Sequence, residues 1–150
     1  MILRCVKILT VASIAVWVSL IAIGNLTDYG SNFMYVSHVM SMDTTFPGSR
    51  LTYRAITSPI LHHVAYWLII LVELGIAGLC WWATVAMFRA RTSPVAFHAA
   101  KGMATAGYGL ALALWVIGFM AIGGEWFAMW QSATWNGQNA AFQLAAVVAM

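Results

Sequence analysis

Charge is what this chain lacks most. Of its 150 residues only 7 are lysine or arginine and 4 aspartate or glutamate, 7% in all, where a soluble domain carries about a quarter. So few charged groups cannot solvate the surface of a water-soluble globule, which excludes that class. The basic residues stand in short clusters beside apolar runs, with no stripe of interleaved aromatics, so a nucleic-acid site is excluded as well. Cysteine is nearly absent. Cys5 and Cys80 have no CxxC partner, which speaks against a zinc or iron–sulfur centre. Both are expected on the reducing side of the membrane, where they read as small apolar residues, not as a disulfide. No P-loop, dinucleotide fingerprint or nucleophile elbow occurs, and no internal repeat.

What the chain has is apolar length: 63% of it is hydrophobic, gathered into runs at about 8–25, 59–88, 102–123 and 139–150. Roughly 20 such residues cross a bilayer core of about 30 Å. The expected fold class is an all-α membrane protein, a four-helix transmembrane bundle forming a single domain over residues 1–150, with a short interfacial helix in the first outer loop. The fourth helix is incomplete, since twelve residues reach only about 18 Å. Either the chain is clipped there or this segment lies against other subunits. The first run follows Arg4 and Lys7 and so resembles a signal peptide, but no small-x-small cleavage site follows it, and it reads as a retained helix. Thr10, Ser13, Trp17 and Gly24 share one side of it, expected to face the bundle interior. Arg4, Lys7, Arg89, Arg91 and Lys101 outweigh Arg50 and Arg54, which puts the N-terminus and the 89–101 bend in the cytoplasm.

The stretch from Ser58 to Arg91 is central. Ser58 suits an N-cap and Pro59 the first helical position. At 100° per residue His62, Tyr66, Glu73, Cys80 and Thr84 fall on one side of the helix. A polar stripe on a spanning helix is expected to face protein or water. An ionised carboxylate at mid-bilayer costs about 2.5–3.5 kcal/mol, so Glu73 is expected to be either neutral or paired inside the bundle. It is then a proton relay, an ion site or a docking group, or else a structural hydrogen-bonder to a neighbouring helix. Trp81 and Trp82 read as belt residues. In the third run Gly102, Ala106, Gly109 and Ala113 form a small-residue stripe expected against the second span.

The segments on the outer side are elaborate. Ser31 or Asn32 is placed to cap a helix from Phe33 to about Met42. Its apolar positions Phe33, Val36, Val39 and Met40 would lie on the membrane or on the mouth of the bundle. Asp43, Arg50 and Arg54 are expected to pair with one another or with a partner, and Tyr53 to anchor at the interface. Residues 124–138 carry Glu125, Trp126, Trp130 and Trp135. Trp126 and Trp130, four apart, are expected to share a helical face. The aromatics read as an interfacial belt or, with His38, Asp43 and Phe46 of the first loop, as the rim of a partner or ligand surface.

Three of the four histidines, His38, His62 and His63, fall on the outer side, and His98 on the inner. A haem b between His38 and His62 requires the loop helix to fold over the second span. A divalent metal on His38, His62, Asp43 or Glu125 has no diagnostic spacing behind it. Nothing brings Glu73 and Glu125 together for acid–base work, and no catalytic residue is assigned. Three functional classes follow, in order. The first is an accessory or assembly subunit of a larger, respiratory-type membrane complex, whose partners are the lipid bilayer and other membrane subunits. The second is a small transporter or proton or ion conductor using Glu73. The third is a haem- or quinone-binding electron-transfer protein.

Two stretches are distinctive: Asn32-Phe33 through His38-Val39-Met40-Ser41-Met42-Asp43-Thr44-Thr45-Phe46-Pro47-Gly48, and Glu125-Trp126-Phe127-Ala128-Met129-Trp130-Gln131-Ser132 with Trp135-Asn136-Gly137-Gln138. Through them nearly the whole chain resembles a bacterial family of predicted small integral membrane proteins, a domain of unknown function. The resemblance implies a four-helix inner-membrane protein with a characteristic stretch in each outer loop. It implies no activity, so no catalytic residue carries over.

Overall fold

A computed structural model describes residues 1–150. The chain is all-helical, with no strand. Three of its helices are long and apolar enough to cross a membrane: Ile2–Thr27, Pro59–Arg89 and Pro94–Trp126.

Helix α1 (Ile2–Thr27) begins six positions before the apolar run. Arg4 and Lys7 are good helix formers, and the Arg4 Nη1 donates to the Arg91 carbonyl at 2.8 Å. That bond places the start of the chain beside the bend after the second span. The buried face of α1 is Val11, Ile14, Ala15, Val18 and Ala22, not the Thr10/Ser13 side. Thr10 and Ser13 donate to the Val6 and Leu9 carbonyls of their own helix, at 3.1 and 2.9 Å. Self-satisfied hydroxyls need no protein neighbour, so they do not mark an interior face.

Helix α2 (Tyr29–Ser41) follows after a break at Asp28. Ser31 and Asn32 lie inside it and cap nothing. It ends at Met42, a left-handed residue (φ 53°) whose side chain is buried. The apolar face of α2 lies on helix α3 (Pro59–Arg89), where Val36 packs with Tyr66 and Ile70. Pro59 opens α3 at the first helical turn, and Ser58 occupies the cap position without a side-chain bond.

After the bend, Ser93 caps helix α4 (Pro94–Ala100) by accepting from the Ala96 N–H at 3.3 Å. Helix α5 (Gly102–Leu112) follows. It continues without interruption into a wide helix, Ala113–Trp126, of the i→i+5 kind, closed by the Phe127 N–H bonding the Ile122 carbonyl at 3.0 Å. The third stretch long and apolar enough to cross a membrane therefore begins at Pro94, ahead of residue 102. Its packed side also differs from the expected one: Gly102, Ala106 and Gly109 are exposed, and Ala104, Gly107 and Ala111 are buried. A Cβ on Gly107 would stand 2.9 Å from Cys80 Sγ and 3.3 Å from Leu79 Cβ, so α3 and α5 meet there almost backbone to backbone. Small residues line two sides of α5, and their pattern alone does not choose between them.

Helix α6 (Gln138–Ala149) buries Ala141, Ala145 and Val148 against the core shared by α1, α3 and α5. The bundle has a bend end, with Arg4 and Arg91, and a capped end formed by α2 and residues 42–58 and 127–137.

Candidate functional site

Glu73 is buried, 2% exposed, and its Oε2 accepts from Asn25 Nδ2 at 2.7 Å. The Asn25 carbonyl in turn accepts from the Tyr66 hydroxyl at 2.9 Å. One residue of α1 thus takes two polar groups of α3, Tyr66 and Glu73, seven residues or about two turns apart. Asn25 lies in the last turn of α1, so Glu73, central in its own helix, sits toward the capped end of the bundle. Below it on the same face come Ile76, Ala77, Cys80 and Ala83, all buried and, apart from the thiol, apolar. Cys80 fills the space against Gly107. Thr84, half-buried, bonds its own Cys80 carbonyl at 2.8 Å. The five residues of the expected stripe therefore do not form one polar cluster.

His62 lies a helical turn above Tyr66, within the cap. Its Nε2 meets the Ile56 carbonyl at 2.7 Å and its Nδ1 the Ser37 hydroxyl at 3.0 Å. A carbonyl only accepts, so in the neutral ring Nε2 carries the proton and Nδ1 accepts from Ser37. His63 stacks on Phe33 at 4.0 Å and bonds the Tyr29 hydroxyl at 2.7 Å.

The two outer segments interlock. His38 pairs with Asp43 at 2.8 Å and stacks on Trp135 at 4.6 Å. Thr44 donates to Ser132 at 2.8 Å, and Phe46 meets Trp130 edge-on at 5.7 Å. Asp43 is thus taken by His38, and the arginines stay free of it. Arg54 lies 4.7 Å over the Trp126 ring and donates to the Glu125 and Trp126 carbonyls at 3.5 and 3.3 Å. The Glu125 carboxylate is exposed and in no ion pair. Trp126 and Trp130 do not share a helical face, because the chain turns at Ala128 (φ 50°) between them. Beneath this layer the Tyr35 hydroxyl donates to Met129 Sδ at 2.6 Å. Burial pushes the Tyr35 phenol up to about 12, so it remains a donor. Gly137 admits Tyr35, because a Cβ there would collide with its hydroxyl.

With this arrangement in view, residues 3–150 match the family described as predicted small integral membrane protein (DUF2165). The chain belongs to that family. No curated protein and no solved structure matches it.

In this member of the family one pocket stands out, of about 520 Å³, between α3 and the wide helix and roofed by α2. Leu68, Val72, Leu114, Ile117, Phe127 and Met129 are among its almost wholly apolar lining. Glu73 is not part of it. No three His, Cys, Asp or Glu side chains converge on a common point. For a haem, α2 does fold over α3, but His62 uses both ring nitrogens on Ser37 and Ile56, and His38 is held by Asp43 and Trp135.

Sequence reasoning missed Asn25, Ser37 and the Tyr35–Met129 pair as working residues, and it gave Arg54 an acidic partner where the structure gives it carbonyls and aromatic rings. For Asn25 a signal existed: it is an amide closing an apolar run, able to meet a lone carboxyl in the next span.

Proposed function

We propose that the chain is an accessory or assembly subunit that packs against a larger membrane complex through its capped end. The observation behind this reading is how its polar groups are used. Glu73, Tyr66, His62 and His38 are each engaged by a partner within the chain, which suits them to holding helices and loops in place. The capped end meanwhile presents Tyr53, Phe46 and Trp126 at 75%, 55% and 52% exposure, a set of residue types favoured at protein interfaces. The apolar run below Glu73 weighs against conduction along that face. The basic residues at the bend end favour an inner-membrane topology with that end in the cytoplasm.

The test is photo-crosslinking in native membranes, with a benzophenone side chain at Phe46, at Tyr53, or at Val95 on the bend end. A heterologous adduct of one mass is expected from Phe46 and Tyr53 and not from Val95. Adducts confined to lipid, or to a second copy of this chain, would overturn the reading.

A further inference from the structure

Arg54 does not itself line the apolar pocket, but residues next to it and next to its partner ring do. Ile56 lines the pocket two residues after Arg54, and Phe127 lines it next to Trp126, the ring that Arg54 covers. On α3 the pocket runs from Val72 to Ala65, about 10 Å of helix, within the hydrocarbon thickness of one leaflet, about 15 Å. Its walls carry exposed Leu68 and Ile117, so it opens sideways to hydrocarbon, not upward to water. Hydrocarbon fills such a space in any membrane. The cation at its outer end adds selection.

Arg54 faces no carboxylate within ion-pair distance. Its partners are the Glu125 and Trp126 carbonyls, the Tyr53 hydroxyl at 3.1 Å, and the Tyr53 and Trp126 rings. These orient the guanidinium, and none of the contacting groups carries a negative charge. We infer that this groove holds one acyl chain of an anionic phospholipid, with the phosphate at Arg54. The site is independent of whether the chain is a subunit of a larger complex. A neutral isoprenoid or a partner's helix would use the groove without needing the cation.

The test is native mass spectrometry of the full chain in detergent, titrated separately with phosphatidylglycerol, phosphatidylcholine and a ubiquinone. One phosphatidylglycerol is expected to be retained in preference to phosphatidylcholine, and ubiquinone not to displace it. Arg54→Ala should lower that preference about fivefold, with Arg89→Ala at the bend end as the unchanged control. Gly118→Phe should fill the groove and lower retention of both phospholipids, and Ala113→Leu provides the same test if the first variant does not fold. Equal retention of the two phospholipids by the wild type, an unaltered preference in Arg54→Ala, displacement by ubiquinone, or full retention in the filled-groove variant would each overturn the assignment.

Discussion

Helix α3 makes two contacts of opposite character. Toward α1 it is closed by polar bonds: Asn25 ties off Glu73 and Tyr66, and the Trp81 indole donates to the Ser19 hydroxyl at 3.1 Å. Toward the third span it is sealed only in its lower half, where Gly107 admits Cys80; above Gly75 and Leu110 the helices part and the pocket opens. The widened helix Ala113–Trp126 begins where they part. Wide turns of this kind occur often at functional sites. A membrane helix gains little from apolar burial, because lipid is as apolar as protein. Seams are therefore decided by close backbone approach and by polar bonds. Where α3 has either, it is closed, and where it has neither, a groove remains.

One substitution made at two places on the third span would break or sharpen this contrast most. Gly107→Leu drives a side chain into α3 and should cost about 1–3 kcal/mol or more. Gly118→Leu enters the groove, where a Cβ meets only Leu114 Cδ1 at an ordinary 3.7 Å, and should cost less than about 0.5 kcal/mol. Reversible unfolding by denaturing detergent in bicelles measures both, and equal costs would erase the distinction. Next in size is Glu73→Leu, which strands the Asn25 amide and should cost about 1–2 kcal/mol. Glu73→Gln keeps a carbonyl acceptor for that amide and should stay within about 0.5 kcal/mol of wild type in the same assay.

A smaller loss than that of Glu73→Leu is expected in the cap. Tyr35→Phe removes the bond to Met129 at a cost of about 0.5 kcal/mol near neutral pH. Its pH dependence is more telling. A phenol raised from 10 to about 12 by the fold contributes stability in full below pH 10 and loses it as pH rises toward 12. Wild type should therefore weaken more steeply than Tyr35→Phe between pH 10 and 12. Parallel curves would mean that Tyr35 is not sequestered.

The long apolar helices were legible because apolar length is the strongest signal a membrane chain carries, and Pro59 and Arg89 mark the ends of α3 as expected. Faces were legible only in part. The stripe through His62, Tyr66 and Glu73 was readable because those side chains cannot satisfy themselves within a helix. The Thr10/Ser13 side misled because short hydroxyls can. The side of α5 that packs was hidden by small residues on two faces, and the partners within the cap by contacts spanning about 90 positions, such as Thr44 with Ser132. Tyr35 with Met129 is another. No local pattern encodes such pairings.

The central claim is that Glu73 holds the first span against the second. A double-mutant cycle on Asn25→Leu and Glu73→Leu, read by unfolding in bicelles, tests it directly. A coupling free energy of about 1 kcal/mol is expected for a bond of this kind within a membrane. A coupling of zero, with the two single losses simply adding, would contradict it.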